Sequence, residues 1–251
     1  MKKNIFPSVC IFSILFLVRG ASAQDTIQNK FGIAFGIADN IHSADFTALP
    51  GIPGCCTNFT SGSGNGLVLN LLYERAVSDF LVVGARLGFM DHSATLTAAS
   101  QKGFFIVNGE TKSGDYTRSI DLVASSFGIE VHAGIPIIKG LIVSAGIRIG
   151  FLLSAKFIQR ETAASGTFQD STGKDTRSNI RNQYAGALPN ASSVIMHGIF
   201  SLSYEFPLNR KHTTFIVPEI SHTPALNDIV KGLNWKTNAV IFDIALKFSI
   251  D

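Results

Sequence analysis

The feature that most constrains this chain is a strict alternation of apolar residues with small or polar ones. From Leu141 to Leu153 every odd position is apolar, while the even positions include Gly146, Arg148 and Gly150. A period of two places alternate side chains on opposite faces of a β-strand. The longer apolar stretch 135–153 has the length to cross a bilayer as a helix, but its proline, glycines and charges interrupt that interpretation. The pattern therefore predicts an all-β protein whose strands have two different faces.

The alternation recurs along the rest of the chain. It covers residues 31–38, 67–74, 81–90, 126–135, 141–153, 194–206, 213–221 and 239–248. Seven of these segments have an apolar face without a charged residue, although 16% of the chain is charged. The pattern of 213–221 is ambiguous, and we predict that Glu219 faces inward and Pro218 outward. The second faces carry glycine, alanine and serine with isolated charges, which suits the interior of a narrow barrel.

These faces predict a closed antiparallel transmembrane β-barrel of eight strands. In hydrocarbon an unpaired backbone N–H or C=O is costly, and closing the sheet removes its edges. Connections near 75–79, 136–140 and 207–212 are short, whereas the polar segments 39–65, 92–117, 158–191 and 222–234 are long. We interpret the short ones as periplasmic turns and the long ones as extracellular loops. The segment 104–107 also fits a strand, so ten strands is the alternative.

Aromatic residues near strand ends are expected to mark the two membrane interfaces. One group lies near the turn ends of the strands: Tyr73, Phe80, Tyr204, Phe206 and Phe248. The other group, Phe89, Phe151 and Trp235, lies near the opposite ends. We therefore expect all three of the second group at the outer interface.

The first 23 residues have the pattern of an export signal. Lys2 and Lys3 precede an apolar stretch, and Ala21-Ser22-Ala23 supplies small residues for cleavage before Gln24. We predict a signal peptide at 1–23 and an outer-membrane β-barrel domain at 24–251, in the outer membrane of a bacterium. Without the signal, basic and acidic residues are equal in number, so there is no basic footprint for nucleic acid.

Several motifs resemble those of bacterial outer-membrane β-barrel domain proteins, the OmpA-like and PorT-like small barrels. They are Tyr73-Glu74 with Ser78-Asp79, the strand Val83 to Gly88, the segment His42 to Cys56, and Asp243 to Phe248. The resemblance implies the barrel fold, and a closing strand whose aromatic residue the outer-membrane assembly machinery reads. Here Phe248 is followed by three more residues. Relatives often carry a peptidoglycan-binding domain after the barrel, and this chain is expected to lack one.

The ionisable residues predicted to face the interior form the interior charged set. Its members are Glu74, Arg86, Glu130, His132, Arg148, Glu205, Asp243 and Lys247, with Glu219 as a further candidate. Charges in a low-dielectric lumen must be paired, and we hypothesise that Arg86 pairs with Glu130. The set predicts a lumen filled by paired charges in a structural or surface-interaction protein that displays long loops to an unidentified partner. A narrow, porin-like channel for small solutes, gated by these charges, is the alternative.

A third possibility is a hydrolase at the outer rim of the barrel. Asp91-His92-Ser93 and Ser221-His222 lie near the outer ends of two strands, and they contain the residue types of general-base catalysis. They would serve it only if the fold brings them together. The chain contains no nucleotide-binding or zinc-finger motif, and we expect a protein that is not an enzyme and has no cofactor or metal.

Cys55 and Cys56 are adjacent in the first long loop. Export favours oxidation. A disulfide that staples the loop, free thiols, and a bond to another chain are the alternatives. The two cysteines and His42 lack the spacing of a usual metal site.

Overall fold

The computed structural model describes residues 28–54 and 57–250. The predicted signal peptide 1–23 and the pair Cys55 and Cys56 lie outside these residues. All regular structure in the described residues is β. The strands are β1 Asn29–Phe46, β2 Phe59–Ser78, β3 Leu81–Asp91, β4 Ala94–Thr97, β5 Gln101–Val107, β6 Glu110–Ile138, β7 Leu141–Ala163, β8 Thr167–Phe168, β9 Ile180–Ala187, β10 Val194–Tyr204, β11 Phe206–Pro207, β12 Thr214–Thr223 and β13 Asn234–Ile250. Among the described residues, no helix has the length and hydropathy of a membrane span.

Eight of these strands close into an antiparallel ring. Its order is β6-β3-β2-β1-β13-β12-β10-β7, and the pairing of β6 with β7 closes it. The predicted eight-stranded fold is confirmed. The ten-strand alternative is wrong, because β5 pairs with β6 and β8 rather than entering the ring.

The predicted faces of the strands are confirmed. Phe31, Ile33, Phe35 and Ile37 are 46–57% exposed, whereas the intervening residues point inward. On β12, Glu219 is buried and Pro218 is exposed, as predicted. Exposed apolar rows on every ring strand give the barrel the kind of exterior that a bilayer requires.

The two ends of the barrel differ. At the turn end, β6 and β7 are joined by a tight turn in which Gly140 has a φ of +86°, a value that favours glycine. At the loop end, much of the sequence that we predicted as loop is strand. β1 and β2 stay paired as far as Phe46 and Phe59, and β6 and β7 stay paired from the turn to Tyr116 and Ala163.

Candidate functional site: a filled barrel lumen

Arg86 lies at the centre of a cluster of carboxylates in the middle of the lumen. It is directly opposite Glu130 in the β3–β6 register, and its Nε lies 3.6 Å from Glu130 Oε1. Its guanidinium group donates two shorter hydrogen bonds, of 2.7 and 2.6 Å, to the two oxygens of Glu219 on β12. Asp243 on β13 is 3.9 Å away. The hypothesised contact with Glu130 is present, but the bidentate partner comes from the opposite wall.

A second cluster lies nearer the turn end. Lys247 Nζ donates to Glu74 at 2.6 Å and to Glu205 at 3.4 Å. Lys30 Nζ contacts the other oxygen of Glu205 at 2.5 Å. Lys30 was not among the predicted residues, yet it has the same strand phase as Gly32 and Ala34, which face inward. Extending the alternation by one step would have identified it.

His132 connects the two clusters. Its Nε2 lies 3.6 Å from Glu74 and its Nδ1 lies 3.3 Å from Glu130. The described lumen contains five carboxylates and four Lys or Arg side chains: Glu74, Glu130, Glu205, Glu219, Asp243, Lys30, Arg86, Arg148 and Lys247. One further proton, on His132 or on a carboxyl group, therefore makes the lumen neutral.

Arg148 is an exception to the expectation that every interior charge is paired. It is buried, and its guanidinium group donates to the backbone oxygen of Gly88 at 2.8 Å and to Asn70 Oδ1 at 3.3 Å. No carboxylate of the described residues lies within ion-pair distance of it. Position 88 requires glycine, because a Cβ there would lie 2.1 Å from the backbone oxygen of Leu69.

Above Arg148 lies a layer of three buried histidines that the interior charged set did not include. The rings of His92 and His197 stack with centroids 5.4 Å apart and planes 5° apart. His197 Nε2 is 2.9 Å from the backbone oxygen of Thr237. His42 Nδ1 accepts a 3.0 Å hydrogen bond from Trp235 Nε1. Each histidine lies an even number of positions from inward-facing residues of β1, β3 or β10. The alternation, extended to these positions, could therefore have identified them as inward-facing.

An apolar plug closes the loop end of the lumen. Its buried members are Phe46, Leu49, Phe59, Leu96, Ala98, Ile120, Leu122, Ala124, Phe157, Leu188, Ile195, Ile229, Val230 and Trp235. Trp235 is fully buried and its ring lies 5.3 Å from that of Phe46. Its predicted place at the outer interface is wrong, because its position in β13 is in phase with the inward-facing Ala239 and Ile241. Phe151, by contrast, is 58% exposed on the exterior.

The structure does not assemble the rim residues considered for a hydrolase. β3 and β12 lie four strands apart in the ring, on opposite sides of the barrel. His92 is buried inside with Nε2 2.9 Å from Ser126 Oγ, whereas His222 faces outward. Asp91 accepts a hydrogen bond from the backbone of Ser93. Among the described residues, no cluster of His, Cys, Asp and Glu is placed to hold a metal ion.

The connection between β7 and β9 is ordered by two exposed aspartates. The hydroxyl of Thr172 and the backbone of Lys174 donate to Asp170, which holds its pKa below the usual value. The hydroxyl of Thr167 lowers the pKa of Asp175 in the same way. A depressed folded pKa contributes stability at neutral pH and loses it as the pH falls through that pKa. This connection is therefore held in its turn conformation at neutral pH.

Comparisons with known proteins find similar solved structures but no related sequence. No family model matches the sequence, and no curated protein matches it. Similar solved structures include Neisserial surface protein A, at 8% identity over 88% of this chain and 97% of that one, with a TM-score of 0.37. The outer membrane protein OprG of Pseudomonas aeruginosa shares 10% identity over 89% and 97% of the two chains, with a TM-score of 0.36. The outer membrane protease OmpT of Escherichia coli shares 7% over 90% and 99%, with a TM-score of 0.38.

OprG and OmpT are outer-membrane proteins by name, and Neisserial surface protein A is a surface protein by name. All three TM-scores are below 0.5, so these similarities support no transfer of activity. One neighbour is a protease by name, so the comparisons leave the question of enzymatic activity to the residues of this chain.

Proposed function

We propose that this chain is a bacterial outer-membrane β-barrel that does not conduct solutes and acts through the strands it projects beyond the membrane. In this proposal the turn end faces the periplasm and the loop end faces the exterior of the cell. The signal at 1–23 directs export, and the assembly machinery reads the closing strand β13 with its exterior aromatic, Phe248. The role is structural or interactive rather than enzymatic.

The exterior of the barrel supports a membrane location. Its exposed rows are apolar on every ring strand, and the ring has no open edge along its middle. Such a surface is stable in lipid, because closing the ring leaves no edge strand in the bilayer and the apolar side chains contact acyl chains. The proposed partners in the membrane are therefore outer-membrane lipids.

The observation that carries the functional proposal is the filling of the lumen in successive layers. Ion pairs occupy the turn half, Arg148 and the histidines follow, and the apolar plug covers the loop end. A conducting path needs a continuous hydrated route past these layers. The strands above the plug, in contrast, present an extended surface to solvent, which favours interaction over transport.

Planar-bilayer recording tests the proposal. We expect no single-channel steps from the reconstituted wild-type protein, nor from a Glu130→Gln variant that weakens one contact of Arg86. An unheated sample that migrates anomalously on a gel and shifts on boiling serves as the control for folding. Discrete, reproducible conductance steps from the folded wild-type barrel would contradict the proposal and favour the narrow channel.

A further inference from the structure

β9 has an unpaired edge above the membrane. One edge of β9 pairs with β7 from Lys156 to Thr162, and no described strand pairs with the other. Nearer the membrane, the chain that follows β9 does have a neighbour on this side. Ala191 and His197 form bridges to Val230 and Ala225, and β10 then pairs with β12. Above β9, the backbone of Phe168 donates to Ser178 on the same side. The result is a gap beside β9 that is bounded at both ends.

The backbone groups that face this gap can be identified. Leu188 N donates to the oxygen of Ala155, which lies directly opposite in the β7 register. Hydrogen-bonded and outward-facing residues alternate along an antiparallel strand. Gly186 and Tyr184 therefore bond to β7, and Ala185 and Ala187 direct their N–H and C=O groups into the gap.

The half of β9 nearest the membrane lacks the usual edge protections, and the register shift opposite Gln159 and Glu161 lies at its other end. Exposed edges are commonly blocked by proline, lysine or a covering segment. The stretch Ala185-Gly186-Ala187 is exposed and small, and β9 contains no proline or lysine. Its one charged residue, Arg181, is engaged by Glu161 at 2.7 Å and lies over the ring of Phe168.

A polar cavity lies at the membrane-side end of the gap. It has a volume of about 420 Å³ and is lined by Ser192, Ser193, Val194, Asn227, Asp228, Lys231 and Gly232. Asp228 Oδ1 is buried without a hydrogen-bond donor among the described residues. The segment that carries Asp228 is fixed beside the end of β9, since Ser192 N donates to Ile229 and Lys231 N to Asn190. Asp228 as a whole is half-buried and lines the cavity together with Lys231, so a cationic group of a ligand can approach its carboxylate although Oδ1 itself is covered.

We propose that the gap beside β9 binds an extended peptide segment of another protein as an added antiparallel strand, with a Lys or Arg near its amino end beside Asp228. This deepens the proposed surface-interaction role and rests on it. β9 runs toward the membrane, so a strand added antiparallel to it runs away from the membrane. Its amino end therefore lies at the cavity. A second copy fits less well, because copies in one membrane direct their β9 strands the same way and cannot pair them antiparallel.

A defined peptide tests the proposal in the full-length barrel held in lipid nanodiscs. The probe is an acetylated nine-residue peptide, one Lys followed by alternating Thr and Val, labelled at its carboxyl end and measured by fluorescence anisotropy. We expect saturable binding. Ala185→Pro removes the free N–H without disturbing the bonds to β7 and is expected to weaken binding about tenfold, the effect of a lost backbone hydrogen bond. Ala185→Thr keeps the N–H and is the matched control.

The cavity is tested separately. A peptide with norleucine in place of Lys is expected to bind more weakly than the Lys peptide, and Asp228→Asn is expected to abolish that difference. No binding by either peptide, or equal binding by folded Ala185→Pro and Ala185→Thr, would overturn the proposal. Self-association of the barrel that Ala185→Pro abolishes would assign the edge to a second copy instead. The conductance test does not depend on any of these outcomes.

Discussion

Replacing Arg86 by alanine is expected to destabilise the folded barrel by about 3–5 kcal/mol, because it leaves uncompensated charge in a desolvated lumen. Arg86 holds Glu219 by two hydrogen bonds and lies within ion-pair distance of Glu130 and Asp243. Without it, these three carboxyl groups lose their shared cation. Urea unfolding in lipid vesicles, followed by the heat-dependent gel shift, measures the change.

An exposed ion pair provides the control for Arg86. Lys102 and Asp115 are 2.9 Å apart, with side chains 75% and 47% exposed. Lys102→Ala is expected to change the free energy of unfolding by less than about 1 kcal/mol, since solvent screens such pairs. If Arg86→Ala cost no more than Lys102→Ala, Arg86 would not be the cation that holds the lumen together.

Replacing Trp235 by alanine is expected to cost about 3–5 kcal/mol, the usual effect of truncating a large buried aromatic residue. The substitution opens a cavity in the apolar plug beside Phe46 and removes the donor to His42. Trp235→Phe keeps most of the packing and removes only the hydrogen bond, so a smaller loss is expected. The same unfolding measurement applies.

The control for Trp235 is an aromatic residue on the surface. Phe104 lies on β5 and is 68% exposed, so Phe104→Ala is expected to change stability by about 0.5 kcal/mol or less. Equal losses for Trp235→Ala and Phe104→Ala would mean that Trp235 does not form part of a packed plug.

The barrel and its two faces could be predicted because a period of two is a local property of each strand. From Phe31 to Phe248 the alternation identifies which residues face out, without any knowledge of pairing. Extending the alternation of β1 and β13 by a few residues also indicates that Lys30, His42 and Trp235 face inward. Trp235 was misplaced because its closeness to a strand end was weighed above its phase.

The contacts within the lumen could not be predicted in the same way. Glu219 reaches Arg86 from across the barrel, and that contact depends on strand tilt and stagger, which no single segment encodes. The pairing of Arg148 with Gly88 and Asn70 depends on the same geometry. The length of the outer strands was missed because their outward faces are mostly polar and their inward faces mix polar and apolar residues, so the alternation is weak there. Asn108-Gly109, a typical hairpin turn with φ of +54° and +81°, was the available signal for β5 and β6.

The most direct test of the account is a scan of single nitroxide labels along β7, from Val143 to Phe151, in a variant with Cys55 and Cys56 replaced by serine. The account predicts that labels at Val143, Ala145, Ile147, Ile149 and Phe151 collide freely with oxygen and rarely with a water-soluble nickel complex, as expected in lipid. Labels at the intervening positions are predicted to be immobile and inaccessible to both. Collision with the nickel complex at the odd positions, or no alternation at all, would contradict a barrel that faces lipid with its apolar rows.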